Sequence, residues 1–212
     1  MEIKTLTLGE LGTNCYIVIS AAGNAAVIDP ADDAQRILDT LGKENAELKM
    51  ILLTHGHFDH TGAVADLKEQ TGAKVYIHSK DECMLDDTIK NVAYLCPGHS
   101  YKPFTADVLV SDGDIIRLDE IEFSVMHTPG HTAGSVVYFA DNCMFAGDTI
   151  FDGSAGRTDF YSGDYIAQRN SLARIAALRE DYLIYPGHGS STTLKQEKKF
   201  NQFLGQSPVD FF

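Results

Sequence analysis

No stretch of the chain comes near the about 20 consecutive apolar residues of a membrane-spanning helix, so none is expected. The start, Met1-Glu-Ile-Lys-Thr-Leu-Thr-Leu-Gly9, lacks a basic segment followed by an apolar one, so no export leader is expected either. Positive charge is scarce: 17 Lys and Arg stand against 30 Asp and Glu, a formal net charge of −13. Such a field repels phosphate backbones and anionic lipid, so neither nucleic acid nor a membrane surface is an expected partner. Small anionic substrates stay open, because bound cations invert the local potential. The four cysteines (Cys15, Cys83, Cys96, Cys143) form no CxxC pair. Without a leader they read as reduced thiols in a cytoplasmic protein, not as a zinc knuckle. No GxSxG setting marks a serine nucleophile.

Apolar residues make up 44% of the 212 residues and charged residues 22%, which is enough to build a sizeable core. No low-complexity linker divides the chain. We expect a single domain over residues 1–212, made of two halves with a seam near 98–106. Glu2–Leu8, Cys15–Ser20 and Ala25–Asp29 read as strands, with Gly12 and Gly23 at the turns. Ala34, Ile37, Leu38 and Leu41 recur at helical spacing from about Asp32, with Gly42 as the expected stop. Lys49–Leu53 reads as a buried strand, Ala63, Val64 and Leu67 as a helix closed by Thr71-Gly72, and Lys74–Ile77 as a strand. The order then repeats. Strands are expected at Asp107–Val110, Ile115–Leu118, Ile121–His127, Ser135–Phe139, Met144–Ala146 and Tyr182–Tyr185, and helices over Asp164–Leu178 and Leu194–Leu204. This succession predicts an α/β fold in which two packed sheets carry helices on both outer faces.

The eight histidines are not scattered. Three fall in His55-Gly-His57-Phe-Asp59-His60, directly after the strand ending in Leu53. Imidazole nitrogen and carboxylate oxygen bind zinc and other divalent cations at about 2.0–2.2 Å. His55 and His57, two apart on a turning loop, can converge on one ion, and Asp59 and His60 at the helix entry can face a second. Three more strand ends carry one ligand type each on a tight glycine turn: Pro129-Gly-His131, Gly147-Asp148 and Pro186-Gly-His188. Five His and two Asp suffice for two ions. His78 reads as a structural strand-end residue, His127 as buried or supporting, and His99 as lying outside the site.

Thr54-His-Gly-His-Phe-Asp-His60, Pro129-Gly-His131, Gly147-Asp148 and Pro186-Gly-His188 together resemble the full signature of the metallo-β-lactamase fold superfamily, in order and over nearly the whole chain. That resemblance implies a four-layer αβ/βα sandwich of two mixed sheets. By position, His55, His57 and His131 resemble first-metal ligands, Asp59, His60 and His188 second-metal ligands, and Asp148 the bridging carboxylate. Gly147-Asp-Thr-Ile-Phe151, Gly156-Arg-Thr-Asp-Phe160 and Tyr185-Pro-Gly-His-Gly-Ser190 are similar to the glyoxalase II-like group of short hydrolases. Glyoxalase II carries an added C-terminal helical region that supplies much of its glutathione pocket, whereas this sequence stops soon after one helix. The implied cofactors are two divalent cations, zinc first, with iron or manganese accepted by the same ligands. Divalent cations lower the pKa of bound water from 15.7 towards about 7, so hydroxide attack on a thioester or ester carbonyl is expected, with Asp59 orienting the hydroxide.

An iron-dependent persulfide dioxygenase is the alternative. It resembles a one-metal site of His55, His131 and Asp148, which leaves the other ligands idle. A lactonase and a non-catalytic metal-binding protein rank behind it. Asp148 and the lack of a leader set the chain apart from a secreted β-lactamase. Arg157, a few residues past Asp148, is expected either to grip an anionic thioester at the mouth of the site or to brace its loop through Asp159 or Asp164.

Overall fold

Side-chain alternation along the strands decides the layers, because neighbouring residues face opposite sides of a sheet. The computed structural model describes residues 1–98 and 100–204, and His99 lies outside them. A first sheet is formed, in spatial order, by β1 (Glu2–Leu8), β2 (Thr13–Ile19), β3 (Asn24–Ile28), β4 (Glu47–Leu52), β5 (Lys74–His78) and β6 (Val108–Val110). The β1–β2 and β2–β3 pairs are antiparallel; the three that follow are parallel. Its parallel strands are connected through α1 (Ala34–Lys43) and through the short α2 (Phe58–Thr61) with α3 (Val64–Thr71).

All seven residues of β2 are buried. Ile17 and Ile19 pack with Ile37 and Leu41 of α1 and Val64 and Leu67 of α3, while Tyr16 and Val18 face the other way, into the second sheet. That sheet contains β7 (Ile115–Leu118), β8 (Ile121–His127), β9 (Val136–Ala140), β10 (Cys143–Gly147), β13 (Leu183–Pro186) and β14 (Thr192–Thr193), in the order β14-β13-β10-β9-β8-β7. Only β10 and β13 pair in parallel, so this sheet is mixed as well. Between β10 and β13 come a small hairpin, β11 (Ile150–Phe151) with β12 (Ser154–Ala155), and α4 (Tyr165–Ala176); α5 (Leu194–Phe200) follows β14.

Val136, Tyr138, Cys143 and Phe145 point inward against the first sheet, and Val137, Met144 and Ala146 point outward onto Leu172 and Ile175 of α4 and Leu194 of α5. The result is the expected four-layer sandwich of two mixed sheets with helices on both outer faces. Tyr138 Oη locks the sheets together by donating to Leu53 O at 2.9 Å. Among the described residues no helix is long and apolar enough to cross a membrane.

The differences from the sequence reading are local. Helix α1 runs through Gly42 to Lys43, because a glycine one residue from a helix end costs little when Ile37 and Leu41 already anchor the face. The last helix ends at Phe200, where Asn201 leaves helical geometry. Strand β6 comes after residues 98–106 yet pairs with β5, so the chain changes sheets between Val110 and Ile115.

His78, at the end of β5, stacks on His127, at the end of β8, with centroids 4.0 Å apart and planes 6° off parallel. Burial, then the His127 ring, lower His78 from 6.5 to about 4. A depressed imidazole means that the unfolded chain takes up the proton first. The stability tied to neutral His78 is therefore complete above about pH 6.5 and is lost as pH falls towards 4. His78→Phe keeps a ring and removes the titration. Its melting temperature should fall less steeply than the parent's between pH 7 and 4.5, and parallel curves would contradict this reading.

Candidate metal centre

Strand ends from both sheets meet at one edge of the sandwich. Thr54 O accepts from Val136 N at 2.8 Å and Gly187 O from Asn14 N at 2.7 Å, which joins the ends of β4 and β9 and of β13 and β2. The loops leaving β4, β8, β10 and β13 carry His55 and His57, His131, Asp148 and His188 in turn, and α2 presents Asp59 and His60. The structure brings all seven together. His57 Nδ1 lies 3.1 Å from His55 Nε2 and 2.9 Å from His131 Nε2, so three nitrogens face one point. Asp59, His60 and His188 form a second group with one ligand atom each within 4.8 Å of the others.

Asp148 stands between the two groups. Its Oδ2 is 3.6 Å from His131 Nε2 and 3.6 Å from His188 Nε2, and its Oδ1 is 3.3 Å from His60 Nε2. Such closeness needs two glycines. Gly147 takes φ 48, and a Cβ there would lie 2.2 Å from Thr54 Oγ1; a Cβ on Gly187 would lie 2.2 Å from Asp148 Oδ1.

Four of the ligand-type side chains are aimed by groups that the sequence did not reveal. His60 Nδ1 meets Asp29 Oδ2 at 2.9 Å, so its Nε2 turns to the centre. His131 Nδ1 donates to the Arg157 carbonyl at 2.7 Å, and His55 Nδ1 meets Thr54 Oγ1 at 3.0 Å. Thr13 Oγ1 donates to Asp59 Oδ2 at 3.0 Å. Asp29 also accepts from Thr54 N and Oγ1, and its only sequence signal is an acid ending the apolar run Ala25–Ile28. Asp81, in the charged run Lys80-Asp-Glu82, has no such signal. It is nonetheless fully buried and accepts from Gly56 N, Gly134 N and Thr132 Oγ1, tying the His55–His57 turn to the loop after His131.

Electrostatics and hydrogen bonding both fit cations here. Burial, with the neighbouring imidazoles, holds His55 well below its usual range, and burial with His131 brings His57 down to about 3. Neutral imidazole is the form that ligates metal. Burial opposes ionisation of Asp59 and Asp148, yet His60 and His188 outweigh it and hold both below the usual carboxylate range. Burial likewise opposes charge on His60, but Asp148, Asp59 and Asp29 raise it well above 6.5. Three carboxylates converging on one buried ring make a pocket that favours positive charge. Inside it, His60 Nε2 and Asp148 Oδ1 are buried and face each other, 3.3 Å apart and outside hydrogen-bond geometry, an arrangement that fits ligand atoms set around a cation.

Above the cluster opens a cavity of about 610 Å³. Arg157 lines it, with its guanidinium 4.0 Å over the Phe160 ring and paired in bidentate fashion with Asp159 at 2.6 and 2.7 Å. His78 and His127 lie outside the cluster, and His127 Nε2 donates to Ala133 O at 2.9 Å.

A sequence profile of the metallo-β-lactamase superfamily matches residues 8–188. The chain is 34% identical over 208 residues to the hydroxyacylglutathione hydrolase GloC of Haemophilus influenzae, covering 96% of this chain and 98% of that protein. Among solved structures it is similar to the B3 metallo-β-lactamase BLEG-1, at 35% identity and a TM-score of 0.91 over 97% of this chain and all of that one. It is also similar to TTHA1623 in a di-iron-bound form, at 35% identity and a TM-score of 0.85 over 95% of this chain and all of that one.

The Asp29–His60 contact generates a test. Asp29→Asn keeps the size and one acceptor but removes the carboxylate that orients the ring. Metal affinity, read by competition with a chelator at a temperature where the metal-free variant is folded, should fall about 10–100-fold. Unaltered affinity would show that Asp29 serves only to hold Thr54.

Proposed function

The chain belongs to the metallo-β-lactamase superfamily, and from that premise we propose that it is a dinuclear metallo-hydrolase of thioesters and related esters. The observation that carries this reading is the position of Asp148 between two complete groups. His55, His57 and His131 would hold one divalent cation, and Asp59, His60 and His188 a second, with Asp148 bridging. Zinc is the first expectation, and the di-iron form of TTHA1623 supports iron as an occupant of such a ligand set. The second group is complete, which a one-metal dioxygenase would not require. The resemblance to GloC supports a thioester as the bond cleaved, since hydroxyacylglutathione is one.

When bound, the cations supply hydroxide at neutral pH and positive charge for the carbonyl oxygen. The chain's own residues do the rest. Asp59, held ionised and fixed by Thr13, would orient the attacking water. A leaving thiolate, with a thiol pKa of about 8.5, needs little protonation, so no separate acid side chain is required. Arg157 is the one Lys or Arg along the cavity among the described residues. Its pair with Asp159 is exposed and contributes little, so a substrate carboxylate can compete for the same paired hydrogen bonds.

The metal-loaded protein should hydrolyse a glutathione thioester, followed by loss of thioester absorbance. Persulfide-dependent oxygen uptake without thioester hydrolysis would replace this reading with the dioxygenase. Cleavage of a β-lactam in preference to a thioester would replace it with the activity named for BLEG-1. Arg157→Ala should raise KM for an anionic thioester with little change in kcat and should matter less for a neutral one. An equal loss for both, with a lowered melting temperature, would show that Arg157 only braces its loop.

A further inference from the structure

The cavity over the metal centre has a polar floor and walls that are apolar apart from Cys96 and Arg157. Leu11, Phe58, Val92, Leu95, Phe151 and Phe160 line it, and no Ser, Thr, Asn, Gln or Tyr side chain does among the described residues. Apart from the metal-centre side chains, only Cys96 and Arg157 bring polar atoms to it. The walls are built, not incidental. Val92 sits at φ 60, a costly conformation for a β-branched residue, and packs with Phe58 and Ala93 to hold the segment that carries Leu95. Leu11 and Leu95 remain 52% and 49% exposed, so each leaves a leucine face at the mouth.

The two sides of the cavity differ. Over the His57 and His131 side lie Arg157, whose carbonyl binds His131, and Phe160, whose ring is 6.0 Å from that of His57. Over the Asp59 and His188 side lie Phe151, with its ring 6.2 Å from that of His188, and Leu11, two residues before the Thr13 that donates to Asp59. Past Leu11, Phe58 and Cys96 a second cavity continues, with Thr13, Asp32 and Ser100 in its lining, but along the stretch between Leu11 and Phe151 a hydroxyl-bearing acyl group meets only carbon, and a hydrocarbon chain leaves water.

We propose that the acyl half of the substrate is an apolar chain held against Leu11, Leu95 and Phe151, with the anionic thiol half directed to Arg157. This rests on the thioester-hydrolase reading and names its substrate class. Hydrolysis forms a C–O bond from water and breaks the C–S bond, releasing the carboxylic acid and the thiol, so the acyl chain takes no part in the chemistry. Its contribution is binding alone. Each methylene that leaves water for these half-open walls should raise kcat/KM about two- to fourfold.

The test is a series of thioesters on one anionic thiol, from acetyl to octanoyl, with hydroxyacetyl and propionyl as a size-matched pair, assayed on the metal-loaded protein. The expected result is a climb along the series until the cavity is filled, with propionyl preferred over hydroxyacetyl. Leu95→Asp should flatten the climb, and Arg157→Ala should lower every member while leaving the slope. Far-UV circular dichroism and melting temperature check that the variants fold. A flat or falling series, or preference for hydroxyacetyl, overturns this inference and leaves the hydrolase reading standing. No hydrolysis of any member overturns both.

Discussion

A buried carboxylate must be answered by donors, and Asp29 shows how much of the molecule that requirement organises. Only 2% of it is exposed, and it accepts from the Thr54 backbone and hydroxyl while facing His60. Removing a charge from water costs several kcal/mol unless its partners are fixed. The end of β3, the turn after β4 and helix α2 are therefore held in one arrangement, the one that turns His60 Nε2 inward. Asp81 does the same for the His55–His57 turn and the loop after His131, and Asn14 for the His188 loop, through Pro186 O and Gly189 O. The ligand cluster rests on these three buried side chains as much as on its own members.

The hydrophobic layers make such a cluster affordable. Phe123, Tyr138 and Phe145 fill the space between the sheets, and helix-facing layers lie outside it. Stability comes from that interior, so the rim can carry close-set imidazoles and carboxylates that favour a cation over each other's company. Charge works on two scales. The chain as a whole is strongly acidic, yet the centre concentrates the capacity to bind positive charge, and Arg157 stands at its mouth.

Much of this was legible in the sequence, for physical reasons. Strands such as Ile121–His127 and helices such as Tyr165–Ala176 are long enough for their period to show. The His55–His60 cluster stands out because four residues able to ligate a metal crowd into six positions after an apolar run. Helix α2 and the β11–β12 hairpin are too short for periodicity to reveal. Asp29, Asp81 and Asn14 act across 31, 53 and 175 positions, and one polar residue in a strand end or charged run looks like any turn residue. The sequence singles out Arg157 for its guanidinium. The structure adds a second role that no side-chain chemistry foretells, since its backbone carbonyl orients His131.

The proposed function requires two cations that share Asp148, and diffraction from crystals of the metal-loaded protein at the metal's absorption edge tests it most directly. It predicts two anomalous peaks per chain, one ringed by His55, His57 and His131, the other by Asp59, His60 and His188, with Asp148 in contact with both. A single peak at full metal saturation, or two peaks with Asp148 bound to only one, would contradict it.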